Sequence, residues 1–190
     1  MIKKTIQSFA FFAFIQVFIF SCCNRDFDVY YDSIIFLAND TLDADATSVS
    51  SDNLVLNFEP MYDYIMASNF RELEKFSNSA YATSCDDNYT YKETVSNILI
   101  TANVDMLGIS AGTALNDKLL YVNPETQERE SFDMIYNVLN RQNGYARYGQ
   151  LEFVFNEDLE SNTMVIFTLE LNIEENDRTL TGTTEEITIE

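Results

Sequence analysis

Apolar and polar residues alternate along most of the chain, the two-residue period of strands with one buried face. Phe27, Val29 and Tyr31 alternate and pass into the apolar run Ile34-Ile35-Phe36-Leu37, predicting a first strand over 26–39 that reaches the core. Leu54, Leu56 and Phe58 predict a second over 53–59. Pro60 is expected to end it, because proline brings no N–H to a ladder. Ile98, Ile100, Ala102 and Val104 mark another strand over 95–104, Leu119–Val122 a brief one, and Leu151–Phe155 one more. Met164 and Ile166 share one parity, whereas Phe167, Leu169, Leu171 and Ile173 share the other. That shift predicts a bulge, or a segment buried on both sides, near residues 166–167. After a turn at Asn176-Asp177 come a short edge at Thr179–Thr181 and a closing strand with Ile187 and Ile189 alternating.

The period changes twice. Phe70, Leu73 and Phe76 recur at three-residue spacing over 68–78, and Asn69 followed by Glu72 has the form of a capping box, predicting a short surface helix. Phe132, Ile135, Tyr136 and Leu139 fall on one helical face behind a capping Ser131, with Asn143-Gly144 as the stop. Residues 40–52 and 81–91 read as loops. Strands follow one another with short connections and no strand-helix-strand rhythm, which favours antiparallel pairing. The expected fold class is all-β: an immunoglobulin-like antiparallel β-sandwich of about seven or eight strands with one or two short helices.

One stretch fits no domain core. Lys3 and Lys4 precede a dozen mostly aromatic and aliphatic residues, Phe9 to Phe20, ending Ser21-Cys22-Cys23. The run is shorter than the roughly 20 residues needed to span a bilayer, so it reads as an export signal. Its end, Ile19-Phe20-Ser21-Cys22, resembles the bacterial lipobox, with Phe20 standing where a small residue is usual. That resemblance implies cleavage before Cys22 and acylation of its thiol. The expected organisation is a signal peptide over 1–21, an acylated cysteine and short tether over 22–28, and a single sandwich domain over 29–190.

Charge narrows the function. The chain carries 31 acidic and 11 basic residues, and loss of Lys3 and Lys4 with the leader leaves nine basic ones and a formal charge of −22. Nucleic acid is excluded as an expected partner, because phosphate binding needs a basic footprint. Anionic lipid heads are repelled as well, so membrane attachment falls to the acyl chains on Cys22. The chain has no histidine, which removes the commonest general base and transition-metal ligand. With Cys22 acylated, Cys23 and Cys85 remain as an even pair in an oxidising compartment, and a disulfide between them is expected. It would close a loop of some 60 residues and contribute about 4 kcal/mol at most in the chain-entropy model.

Few motifs carry chemistry. Gly108-Ile109-Ser110-Ala111-Gly112 matches the G-x-S-x-G nucleophile elbow, but with no histidine to accept the proton of Ser110 it is read as a glycine loop. Asp43 cannot open an EF-hand, since Ser48 and Leu54 stand where that loop needs glycine and glutamate. The acidic clusters Asp40/Asp43/Asp45, Asp86-Asp87 and Glu174-Glu175 are read as solvated charge. No catalytic residue, metal ligand or cofactor is expected. Tyrosines two apart on a strand, Tyr62/Tyr64 and Tyr89/Tyr91, can form a sugar-stacking platform, although ordinary cross-strand packing gives the same spacing. Tyr145, Arg147 and Tyr148 follow a glycine at a helix end and are the expected exposed recognition loop.

Taken together, the Lys3-Lys4 start, the doubled Cys22-Cys23, the segments Tyr81–Cys85 and Ala111–Asp117 and the ending Ile187-Thr188-Ile189-Glu190 resemble the lipoproteins of Bacteroidota. More closely, they resemble one of their families of unknown function with a sandwich domain. The resemblance implies an outer-membrane lipoprotein on the periplasmic or cell-surface side. It also implies O-glycosylation at Asp-Ser/Thr followed by a small or aliphatic residue. Asp40-Thr41-Leu42 matches in an exposed loop, making Thr41 the expected acceptor, and Asp32-Ser33-Ile34 matches in a strand expected to bury Ser33. The functional expectation is a lipid-anchored envelope protein with a non-enzymatic binding or structural role toward a protein or glycan. A glycan-binding accessory using exposed tyrosines is the alternative, and an acid-only glycosidase the more distant one.

Overall fold

The computed structural model describes residues 26–40, 47–66, 88–140 and 150–190. Alternation is realised as twelve strands among them: β1 (Asp26–Asp40), β2 (Ser48–Val49), β3 (Leu54–Met66), β4 (Asn88–Tyr91), β5 (Val95–Ala102), β6 (Leu119–Val122), β7 (Arg129–Ser131), β8 (Leu151–Phe155), β9 (Thr163–Val165), β10 (Phe167–Ile173), β11 (Arg178–Thr183) and β12 (Ile187–Ile189). One α-helix, α1 (Ile135–Leu139), joins them. The excess over seven or eight comes mainly from strands of two to four residues, too short to leave a period in the sequence. The fold is an all-β sandwich, as the alternation predicts.

A six-stranded sheet is ordered β4-β1-β3-β8-β6-β7, beside two three-stranded sheets, β11-β10-β5 and β2-β12-β9. The pairings run antiparallel for β3–β8, β8–β6, β6–β7, β5–β10, β10–β11 and β9–β12, and parallel for β12–β2. Inward positions of the large sheet (Leu56, Phe58, Tyr121, Phe153) and of the second sheet (Ile98, Ile100, Leu169, Leu171) build one core. Phe155 on β8 meets Phe167 on β10 at 5.8 Å between ring centres. Where β11 passes β1, there is little room for a side chain. A Cβ on Gly182 would stand 3.0 Å from the Cβ of Phe36 and 3.1 Å from Cγ1 of Ile34.

The parity shift at residues 166–167 marks a change of sheet. β9 pairs with β12, β10 with β5 and β11, and Ile166 lies in neither strand. Its amide donates to Oδ1 of Asn103 at 2.8 Å and its carbonyl accepts from the Asn103 amide at 3.1 Å, so the step between sheets leaves no backbone group stranded.

Several local expectations are corrected. Pro60 does not end its strand: β3 runs through it to Met66. Among the described residues the β8 register ends at Phe58, two residues before Pro60, so no described ladder bond to β8 needs the missing N–H. Residues 88–91, expected as loop, form β4. β7 was not foreseen because Arg-Glu-Ser carries no apolar signal. Ser131 stands before a single 3-10 turn, Phe132–Met134, leading into α1, and makes no side-chain capping bond. Phe132, Ile135 and Leu139 are buried as the helical face predicts. Ser33 is exposed, not buried, because the inward parity of β1 passes from Val29 and Tyr31 to Phe36 and turns Ser33 outward. The predicted helix over 68–78 lies outside the described residues.

The chain divides into two compact units. The larger comprises Val29–Asp63 and Tyr91–Glu190; the described residues of the smaller are 26–28, 64–66 and 88–90.

Candidate functional site

The smaller unit concentrates exposed aromatic and apolar side chains. Phe27 stacks on Tyr89 at 5.6 Å with 18° between the ring planes, and Tyr64 meets Tyr89 edge-on at 5.8 Å and 75°. Asn88 Nδ2 donates to Asp26 Oδ1 at 2.9 Å. Around these contacts the surface stays open: Tyr64 is 50% exposed, Ile65 52%, Met66 41% and Tyr89 37%. Successive residues of a strand point to opposite faces, so Ile65 is exposed on one face of β3 and Tyr64 and Met66 on the other. The described rings of this unit are not arranged as coplanar open faces. One face of Tyr89 is stacked on Phe27, and Tyr64 is turned nearly perpendicular.

In the larger unit the tyrosines pack inward. Tyr62 lies 5.2 Å from Tyr31 and 5.6 Å from Tyr91, the latter edge-on at 76°. The hydroxyl of Tyr31 donates to the carbonyl of Leu139 at 2.9 Å, tying β1 to the end of α1. Tyr31 and Tyr91 are buried and Tyr62 packs half-buried against the core, the packing alternative to a platform.

Beside them sits a buried polar knot. Glu93, whose side chain is 2% exposed, accepts the Tyr31 amide at 2.7 Å, Asn176 Nδ2 at 2.9 Å and Arg178 Nη2 at 3.1 Å. The same guanidinium nitrogen also donates to the carbonyl of Tyr31. A carboxylate with this many donors is stable without water, and it locks β1 to the turn between β10 and β11. Sequence reasoning missed it, because nothing near Glu93 points to a partner 85 residues away. The only available signal was that Arg178 is one of few cations in a very acidic chain. Next to it, burial works to raise the Glu175 carboxyl, but hydrogen bonds from Thr94 outweigh burial and hold it below its ordinary value.

Tyr121 on β6 is fully buried, and its hydroxyl has no hydrogen-bond partner among the described residues. Burial, then the carboxylates of Glu130 and Glu125, push its phenol up to about 12. A cleft of about 310 Å³ opens among Ser51, Asp52, Arg129, Asn156, Glu157 and Asp158. Of its three carboxylates, Glu157 is paired with Lys118 at 2.7 Å, and the surroundings are solvated charge. Among the described residues no group of three or more acids, cysteines or histidines is placed to hold a metal ion.

The glycine loop is a turn, not a nucleophile elbow. Met106 and Ile109 exchange backbone hydrogen bonds at 2.8 and 2.9 Å across Leu107 and Gly108, both at positive φ. That is a two-residue hairpin turn of the type whose central residues are both left-handed. Asp105 Oδ1 accepts the Ala111 amide at 2.8 Å, and Ser110 is exposed with no helix following it. The other singled-out residues, Cys22, Cys23, Thr41, Cys85, Tyr145, Arg147 and Tyr148, lie outside the described residues, as do Asp43, Asp45 and Asp86-Asp87. Comparison with known proteins found no matching family model, no matching curated protein and no matching solved structure.

Proposed function

We propose that this chain is a lipid-anchored envelope protein whose sandwich has a binding or structural role rather than a catalytic one. Cys22 carries the acyl chains, Cys23 and Cys85 form a disulfide, Thr41 accepts an O-glycan, and the anchor lies in the outer membrane. The observation that carries this reading is the sequence Ile19-Phe20-Ser21-Cys22 at the end of the apolar run Phe9 to Phe20 behind Lys3 and Lys4. β1 begins at Asp26, four residues after the lipobox cysteine, so at roughly 3.5 Å per residue its start lies within about 14 Å of Cys22. Exposed Tyr64, Ile65, Met66 and Tyr89 support a contact surface over a catalytic cleft. A glycan-binding accessory using exposed tyrosines is the alternative reading, and Tyr145, Arg147 and Tyr148 remain the proposed recognition loop.

The test is Cys22→Ala in a host with lipoprotein processing. The wild type should incorporate labelled fatty acid and partition with membranes. The variant should lose the label and be either unprocessed or released. Label retained by Cys22→Ala would sink the anchor.

A further inference from the structure

We propose that Met164 is the first of the described methionines to be oxidised, a surface thioether that takes one oxygen atom from a peroxide while the core is spared. Three observations set it apart from the others.

The first is exposure that packing does not explain. β9 alternates: Val165 is fully buried opposite Ile187 of β12, and Met164, opposite Thr188, points the other way. Met164 is 56% exposed, against 41% for Met66 and Met134, 40% for Met61 and 6% for Met106. Glu160, Ser161 and Asn162 just before it are exposed as well. The outward position of a solvated strand is ordinarily polar, and a thioether there adds nothing to the core.

The second is the place of the strand. β9 is an outer strand of the sheet β2-β12-β9, so among the strands of that sheet only β12 lies beside Met164.

The third is the sulfur lone pair. Oxidation begins with its attack on the peroxide, so a sulfur already accepting a hydrogen bond is the poorer nucleophile. Met134 Sδ accepts from Asn137 Nδ2 at 3.7 Å. Met164 has no such donor among the described residues.

In the proposed step the sulfur lone pair attacks one oxygen of hydrogen peroxide, the O–O bond breaks, an S–O bond forms and water leaves with both protons. Sulfur loses two electrons and the peroxide gains them. The sulfoxide product is polar and is reduced back by methionine sulfoxide reductases. On an open strand position it displaces nothing, whereas at Met106 it would put a polar group into the core.

The test treats the purified full chain with hydrogen peroxide and follows each methionine peptide for the gain of an oxygen by mass spectrometry. Among the described methionines Met164 should react first and Met106 last, at least about tenfold more slowly because its sulfur waits for a local opening. Chain oxidised at Met164 alone should keep the urea midpoint of the untreated form. Met164→Leu should remove the fastest phase and leave the other peptides at their own rates. A faster Met61, Met66 or Met134, or a Met106 that keeps pace with Met164, overturns the proposal. So does a midpoint that falls on oxidation of Met164, because the thioether would then be part of the packing. A fastest phase that persists in Met164→Leu and maps to another described methionine overturns it equally.

Discussion

Removing the Glu93 carboxylate should be among the most damaging single changes in the larger unit. Glu93→Ala strands the Tyr31 amide, leaves Asn176 without its acceptor and deprives the Arg178 guanidinium of its counter-charge. Breaking a buried ion pair from one side costs about 3 to 5 kcal/mol, and a stranded buried N–H about 1 to 3. The two overlap, because Arg178 is 38% exposed and can turn to water, which places the expected loss near 3 kcal/mol. A domain of this size has about 5 to 15 kcal/mol in total, so the variant should fold but melt early. With a urea slope of about 2 kcal/mol per molar, the midpoint should fall by roughly 1.5 M. Glu93→Gln keeps an acceptor for Tyr31 but loses the charge, and should lie between wild type and Ala. Arg178→Ala completes a double-mutant cycle, with an expected coupling of about 1 to 3 kcal/mol that little depends on salt. A Glu93→Ala loss under about 1 kcal/mol, or single changes that simply add, would refute the view that Glu93 and its partners act as one coupled network.

Two further changes test the packing. Tyr121→Phe removes a buried hydroxyl that lacks a partner among the described residues and should stabilise the fold by about 1 kcal/mol at neutral pH, read from urea midpoints; a loss would reveal a hidden partner. Its folded pKa is raised from 10.0 to about 12, so the neutral phenol favours the fold in full below pH 10, and that contribution is lost as pH rises through 12. Two units correspond to at most about 2.7 kcal/mol, and screening of Glu130 and Glu125 should leave about 1 to 2; thermal melts of wild type and Tyr121→Phe that decline in parallel from pH 9 to 12 would exclude the phenol as the cause. Asn116→Ala strips the acceptor from the Ile100 amide and the donor from the Ile98 carbonyl, and should cost about 2 kcal/mol and raise light scattering on heating; an unchanged scattering onset would mean that the edge of β5 needs no guard.

What the sequence disclosed is what depends on neighbours along the chain. Leu151–Phe155 alternates because one face meets the core, and the parity change at Ile166-Phe167 records a switch of sheet, since each sheet presents its own inward face. Pro60 misled because its effect depends on a partner strand, and the described register with β8 stops two residues short of it. Glu93 and Arg178, likewise, are an ordinary acid and an ordinary base until β1 is folded against the β10–β11 turn. Exposure of the tyrosines was half visible. The spacing of Tyr62/Tyr64 and Tyr89/Tyr91 put rings on shared faces, but which rings are buried depends on where each strand leaves the core: Tyr62 and Tyr91 pack inward, and Tyr64 and Tyr89 stay open.

The edge of β5 shows how far such information is from a period. In the three-stranded sheet β5 is an outer strand, and its outward backbone groups would present a row of unpaired donors and acceptors to any passing chain. They are instead taken up one by one. Asn140 bonds both the amide and the carbonyl of Val95, the Tyr136 hydroxyl accepts the Ile98 amide, Asn116 bonds the Ile98 carbonyl and the Ile100 amide, and the amides of Leu115 and Gly112 reach Ile100 and Ala102. A side-chain amide carries the same donor and acceptor as a peptide group, so an asparagine can stand in for one residue of a missing strand without offering a further edge. Tyr136 and Asn140, on and just after α1, therefore explain why a five-residue helix, too short to persist alone, sits against a sheet edge. Buried Ile135 and Leu139 fix the helix to the core, and its polar positions close the ladder. Apolar periodicity predicted that helix from its buried face, while the purpose of the polar groups of Tyr136 and Asn140 beside it emerges only once β5 is known to be an edge.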